Sequence, residues 1–155
     1  MIHSDLLKEK QLIDNLFGDI KAFQGDPYLQ SLLTNYLCVR VSGFLENCVR
    51  IIFTNYSAPR SKDNIINFVG KKLERFPNPT YDNILSLAAD FNTQWKNEFK
   101  KQVKSPPQLL SSLNSINVNR NLIAHGGTSS LTIGELEQYY KDTVNLISIL
   151  ERCCK

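Results

Sequence analysis

Asp26-Pro27-Tyr28-Leu29-Gln30-Ser31-Leu32-Leu33-Thr34-Asn35-Tyr36-Leu37-Cys38-Val39-Arg40-Val41-Ser42-Gly43-Phe44-Leu45-Glu46-Asn47-Cys48-Val49-Arg50-Ile51-Ile52 is the stretch that decides the fold. Asp26 offers an N-cap acceptor, and Pro27 at the first helical position has no N–H to satisfy. From there Leu29, Leu32, Leu33, Tyr36, Leu37, Val41, Phe44, Leu45, Cys48, Val49 and Ile52 recur at helical spacings. The pattern predicts one long helix from Pro27 to about Tyr56. Its apolar face is broad and its polar residues are few, so it belongs at the centre of a bundle. Arg40 and Arg50 interrupt it; each can pair with Glu46 or face an interface.

The flanking sequence supplies the helices that would surround it. Upstream, Leu6, Ile13, Leu16, Phe17, Ile20 and Phe23 mark a helix over about Asp5 to Phe23, stopped at Gly25. Downstream, Ile65, Ile66, Phe68, Val69 and Leu73 mark a third helix over about Lys62 to Glu74. Pro77-Asn78-Pro79 ends it, and Thr80 caps a fourth that carries Leu85, Leu87, Ala88, Phe91, Trp95 and Phe99. Ser105 and Pro106-Pro107 open a fifth. Thr132 and Glu135 form a capping box for the last, with Leu131 placed to staple to Leu136. Period-two alternation and hairpin dipeptides are missing. Short loops make neighbouring helices antiparallel. The expectation is an all-α, up-and-down bundle of five to six helices, one domain over residues 1–155.

Bulk properties narrow the function classes. At 155 residues, 42% hydrophobic and 21% charged, the chain suits one soluble globular domain. No apolar run approaches the roughly 20 residues that span a bilayer, so no membrane role is expected. The start, Met1 to Lys10, lacks the apolar core of a signal peptide. A net charge of +3 permits nucleic-acid binding without demanding it. Cys38, Cys48, Cys153 and Cys154 form no C-x-x-C pair, and there are two histidines, so neither a zinc site nor any other metal or cofactor is expected. Cys38 and Cys48 read as core residues, and the setting as reducing and cytoplasmic.

The chemistry-bearing stretch is Arg120-Asn121-Leu122-Ile123-Ala124-His125, closed by Gly126-Gly127. On the fifth helix Leu109, Leu113, Ile116, Arg120 and Ile123 follow steps of three and four, which puts Arg120 in line with a buried stripe. A guanidinium there needs a carboxylate, an interface or an anion. Asn114, Asn121 and His125 share the adjoining stripe. Arg120 and His125 diverge by about 140° on an ideal helix, so one cleft for both requires a long arginine reach or an unwound last turn. Imidazole exchanges protons near neutral pH, and guanidinium forks onto phosphate oxygens. The two suit phosphodiester transesterification, because RNA carries its own 2′-hydroxyl nucleophile. The competing reading is a histidine at a helix C-terminus, with the arginine paired to a carboxylate such as Glu46.

The run from Arg120 to Gly126, on a late helix of an all-α chain, resembles the HEPN superfamily, whose hallmark is an arginine, four to six residues, then a histidine. Phe44-Leu45-Glu46-Asn47-Cys48-Val49-Arg50 is similar to the acidic segment of HEPN proteins of the RiboL-PSP or similar bacterial type. Leu131-Thr132-Ile133-Gly134-Glu135-Leu136, with Tyr139-Tyr140, resembles their terminal helix. The resemblance implies a metal-independent endoribonuclease of toxin–antitoxin or phage-defence type, acting on RNA as a homodimer with a composite site. An antitoxin or defence-system protein would be a further partner. It assigns Arg120 to the scissile phosphate, His125 to proton transfer, and Asn121 to positioning, with Glu46 in support through a salt bridge. The apolar stripe leading to Arg120 would be the dimer seam. Gly127 stands where members paired with nucleotidyltransferases carry a tyrosine, a departure from that subgroup.

Lys96, Lys100, Lys101 and Lys104, beside Trp95 and Phe99, are candidates to track an RNA backbone; the plainer reading is a solvated helix face. The alternative function is a non-catalytic HEPN-like module for dimerisation or for nucleic-acid or nucleotide binding. RNA cleavage in EDTA separates the two.

Overall fold

The computed structural model describes residues 4–155; Met1, Ile2 and His3, part of the N-terminal reading, lie outside the described residues. Among the described residues seven α-helices follow one another: α1 (Ser4–Ala22), α2 (Pro27–Ser57), α3 (Asp63–Glu74), α4 (Tyr81–Phe91), α5 (Thr93–Val103), α6 (Gln108–Ala124) and α7 (Ile133–Cys153). A single 3₁₀ turn, Ala58–Arg60, follows α2. No strand occurs among the described residues.

The all-α class stands, with one helix more than the five to six expected. The extra one comes from the long fourth helix of the sequence reading, which is two. Asn92 adopts an extended conformation (φ −162°, ψ 119°), and its side-chain oxygen accepts the Gln94 N–H. It therefore ends α4 and N-caps α5 in one residue. Phe91 and Trp95 still stack across the corner, with ring centroids 6.2 Å apart. The apolar periodicity thus runs on through a break in the backbone.

Three other local signals act as read. Asp26 accepts the Tyr28 N–H with Pro27 inside the first turn of α2. Thr80 accepts the Asn83 N–H at the start of α4. At the start of α7, Thr132 and Glu135 bond reciprocally, with Leu131 and Leu136 both buried.

Helix α2 is the hub: it packs against α1, α3, α6 and α7. Leu37, Cys38, Val41, Leu45, Val49 and Phe53 on it are fully buried. Phe17 of α1 and Phe44 of α2 close on Tyr140 of α7 at centroid distances of 5.3 and 6.1 Å. The N-terminal turns of α2 differ from expectation. Leu29, Leu32 and Tyr36, read as part of its inward face, are 43%, 45% and 50% exposed. That end of α2 extends past the cover the bundle provides. Helix α3 sits at the edge and leaves Ile65 and Phe68 exposed.

Candidate active site

Helix α6 has two faces. Leu109, Leu113 and Ile116 point into the protomer's own core, held against α2 and α7. Asn114, Val118, Asn121, Leu122 and His125 lie on the outward face and are exposed. Arg120 sits at the border, half-buried. The stripe expected to serve as a dimer seam is therefore already spent on the monomer's core. The apolar residues available to a partner are Val118 and Leu122, 56% and 42% exposed, which flank Asn121.

Around Arg120 the polar contacts form a small network. Arg120 Nη1 donates to Asn121 Oδ1 over 3.1 Å. Asn78 Nδ2, from the segment between α3 and α4, donates to the same oxygen over 3.1 Å. The Asn78 carbonyl accepts from Asn83 Nδ2 (2.8 Å) and from the Thr80 N–H (2.7 Å). The buried Asn117, one turn before Asn121, donates through Nδ2 to the Pro79 carbonyl (3.2 Å) and to that of Leu113 (3.0 Å). The Asn78–Pro79 segment is thus tied to α6 at two successive turns.

No carboxylate pairs with Arg120 among the described residues. Glu46 forms its ion pair with Arg50, one turn along α2, and Arg50 also donates to the Glu74 carbonyl over 3.2 Å. The support expected of Glu46 for Arg120 or His125 is not among its contacts: four residues of helical spacing bring Arg50 to it first. Asn121 takes the position by Arg120 instead, and no carboxylate among the described residues pairs with the guanidinium.

His125 is the C-cap of α6 (φ −92°, ψ 14°), and its N–H still reaches the Asn121 carbonyl. Gly126 then turns into the left-handed region at φ 77°. Its N–H reaches the Ile123 carbonyl and that of Gly127 the Leu122 carbonyl, at 3.1 and 2.9 Å. This pair of backward bonds is a Schellman closure. It explains both glycines: Gly126 adopts the left-handed conformation, and a Cβ on Gly127 would run into Leu122, lying 3.0 Å from its carbonyl oxygen. The imidazole of His125 is exposed and makes no hydrogen bond among the described residues. The helix is regular up to Ala124, and no hydrogen bond joins Arg120 to His125.

The turn into α7 is anchored behind the motif. Ser129, buried, donates to Asn119 Oδ1 (2.6 Å) and accepts the Leu131 N–H (3.1 Å). The basic residues lie elsewhere. Lys96 is half-buried and Lys100 and Lys101 exposed on α5, with Lys104 just beyond it, while Trp95 and Phe99 enter the core. Helix α5 is held by α4 and α7, and α6 by α2 and α7, so the lysines and the motif share α7 as a neighbour.

A cavity of about 450 Å³ opens between α1, α2 and α7, floored by Leu6, Phe44, Cys48, Ile52, Val144 and Ile147. No residue of α6 lines it. Among the described residues no cluster of three or more His, Cys, Asp or Glu could hold a metal, and no helix is long and apolar enough to cross a membrane.

A comparison with known families matches residues 4–155 to the family model RiboL-PSP-HEPN. No curated protein and no solved structure matches.

Proposed function

The chain belongs to the RiboL-PSP-HEPN family, and on that premise we propose that it is a metal-independent endoribonuclease whose active site is completed by a second copy of itself. HEPN domains are often ribonucleases, and the family also contains nucleotide-binding modules. The observation that carries the catalytic reading is the neighbourhood of Arg120. Its guanidinium sits beside a neutral amide rather than a carboxylate, on the same helical end as an exposed, uncommitted imidazole. An unneutralised arginine next to a free histidine suits an anionic substrate.

In this mechanism Arg120 forks onto the non-bridging oxygens of the scissile phosphate and stabilises the extra charge at phosphorus. One His125 accepts the 2′-hydroxyl proton as the 2′-oxygen bonds to phosphorus. The P–O5′ bond breaks, and a protonated His125 delivers a proton to the departing 5′-oxygen. The products are a 2′,3′-cyclic phosphate and a 5′-hydroxyl. Each chain has one such histidine and the reaction uses two. Val118 and Leu122, exposed beside Asn121, fit the seam that would bring the second. Lys100, Lys101 and Lys104 would follow the RNA backbone away from the cut. A ribonuclease of this kind fits a toxin or phage-defence effector restrained by a partner protein, and it is proposed as such.

The test is cleavage of RNA in EDTA by the parent, Arg120→Ala and His125→Ala. Each substitution is expected to lower the rate by on the order of 10²-fold or more, with circular dichroism unchanged, and the parent's product should carry the cyclic phosphate by mass. Two folded variants that cleave like the parent would remove the site assignment. RNA binding without cleavage by the parent would favour the non-catalytic module.

A further inference from the structure

We propose that Asn78 is a positioning residue for this site: it locks the Asn121 side-chain amide so that its oxygen faces Arg120 and its NH2 group is presented outward as a second donor to the phosphate. The proposal rests on the ribonuclease reading above.

The orientation follows from donor and acceptor chemistry. A guanidinium has five N–H donors and no acceptor. The Asn121 atom 3.1 Å from Arg120 Nη1 is therefore the oxygen. That same oxygen lies 3.1 Å from the Asn78 side chain, which must meet it with its own NH2. Two donors on one oxygen occupy both of its lone pairs. The Asn121 NH2 group then has no partner among the described residues, and it lies on the exposed face of α6 with His125 one turn on. Beside a cation, a free amide donor is matched to a group that accepts only, such as a phosphate oxygen.

Asn78 is itself fixed from both sides. Its carbonyl takes the Asn83 side chain and the Thr80 N–H, and the neighbouring Pro79 carbonyl takes Asn117 Nδ2. Pro77 and Pro79 on either side restrict the backbone further. The anchor therefore costs little extra ordering when substrate arrives, as a preorganised site requires. Without Asn78, the Asn121 amide keeps one donor instead of two and rotates more freely about its last torsion.

A double-mutant cycle tests the assignment. Asn78→Ala in the parent is expected to lower kcat in EDTA about 10-fold with KM changed less than about 2-fold, since the lost donor is aligned for the transition state. In the Asn121→Ala background, the same Asn78→Ala change is expected to do nothing further, because the residue it acts through is gone. An equal loss in both backgrounds would show that Asn78 supports only the loop, and would overturn the proposal. Asn78→Asp should be worse than Asn78→Ala, because its carboxylate draws the Asn121 NH2 inward and pairs with Arg120. The lock is also readable without catalysis. The Asn121 side-chain ¹⁵NH2 signal should report a rigid amide in the parent and an averaging one in Asn78→Ala. A parent that shows the rigid amide but cleaves no RNA refutes the ribonuclease reading and leaves the lock standing. An equally mobile amide in both proteins refutes the lock.

Discussion

The thiol of Cys48 is 4% exposed, and burial pushes it up to about 12, with Glu9 and Glu151 adding to the effect. Burial likewise raises Cys38 to about 11, and burial followed by the charge of Cys153 raises Cys154 to about 12. Thiolates are the reactive species, so the folded protein should react with a disulfide reagent at pH 8 on the order of 100-fold more slowly than the unfolded chain. The same shifts carry a stability consequence. The unfolded chain releases these protons near pH 9, whereas the folded one holds them until about pH 11 to 12. Stability from this source is whole below pH 9 and falls as pH rises through that window. Tm measured from pH 8 to 11 should fall, and should fall less in Cys38→Ala/Cys48→Ala. Cys38 and Cys48 were legible as core residues because their helical register places them there. Asn78 was not legible as part of a site. Pro77-Asn78-Pro79 reads only as a helix terminator, and its bond to Asn121 crosses 43 residues of sequence that no local pattern connects. Glu46 shows the converse: a carboxylate wanted by a distant arginine was already claimed by a nearer one.

Elements inherit their limits from their end residues. The starts of α2, α4 and α7 were readable because each is written in a cap whose partner lies two or three positions away. The break at Asn92 was hidden because Ile84, Ala88, Phe91, Trp95 and Phe99 keep a continuous apolar rhythm across it, and one asparagine is a weak stop. The exposed first turns of α2 were also misread: periodicity finds an apolar face but does not say how far the neighbours extend to cover it. At the end of α6 the glycine pair gives a sharp expectation. Gly126→Ala forces an L side chain to φ 77° and should destabilise the protein by about 1–2 kcal/mol. Gly126→Asn should cost less, since asparagine tolerates this conformation better. Urea unfolding of both variants checks the order. Equal stability of all three proteins would mean that the Schellman closure does not form.

For the whole molecule, the division of α6 into an inner and an outer face separates stability from assembly. Leu113→Ala, 1% exposed, should cost about 2–5 kcal/mol and leave the oligomeric state unchanged at temperatures where the protein stays folded. Val118→Glu, on the outer face, should leave Tm of the dilute protein within about 2 °C, a surface change being worth at most about 0.5 kcal/mol. It should halve the mass by light scattering and abolish cleavage in EDTA. A Val118→Glu protein that remains dimeric and active would place the seam elsewhere. The inward residues, Leu109, Leu113 and Ile116, belong to the protomer's own core. On the proposed reading, in which two copies complete one site, activity responds to the abundance of the chain. Where copies are few, the number of complete sites falls with the square of their concentration, so low-level leakage of such an effector into a cell would be nearly silent and a burst of synthesis disproportionately loud.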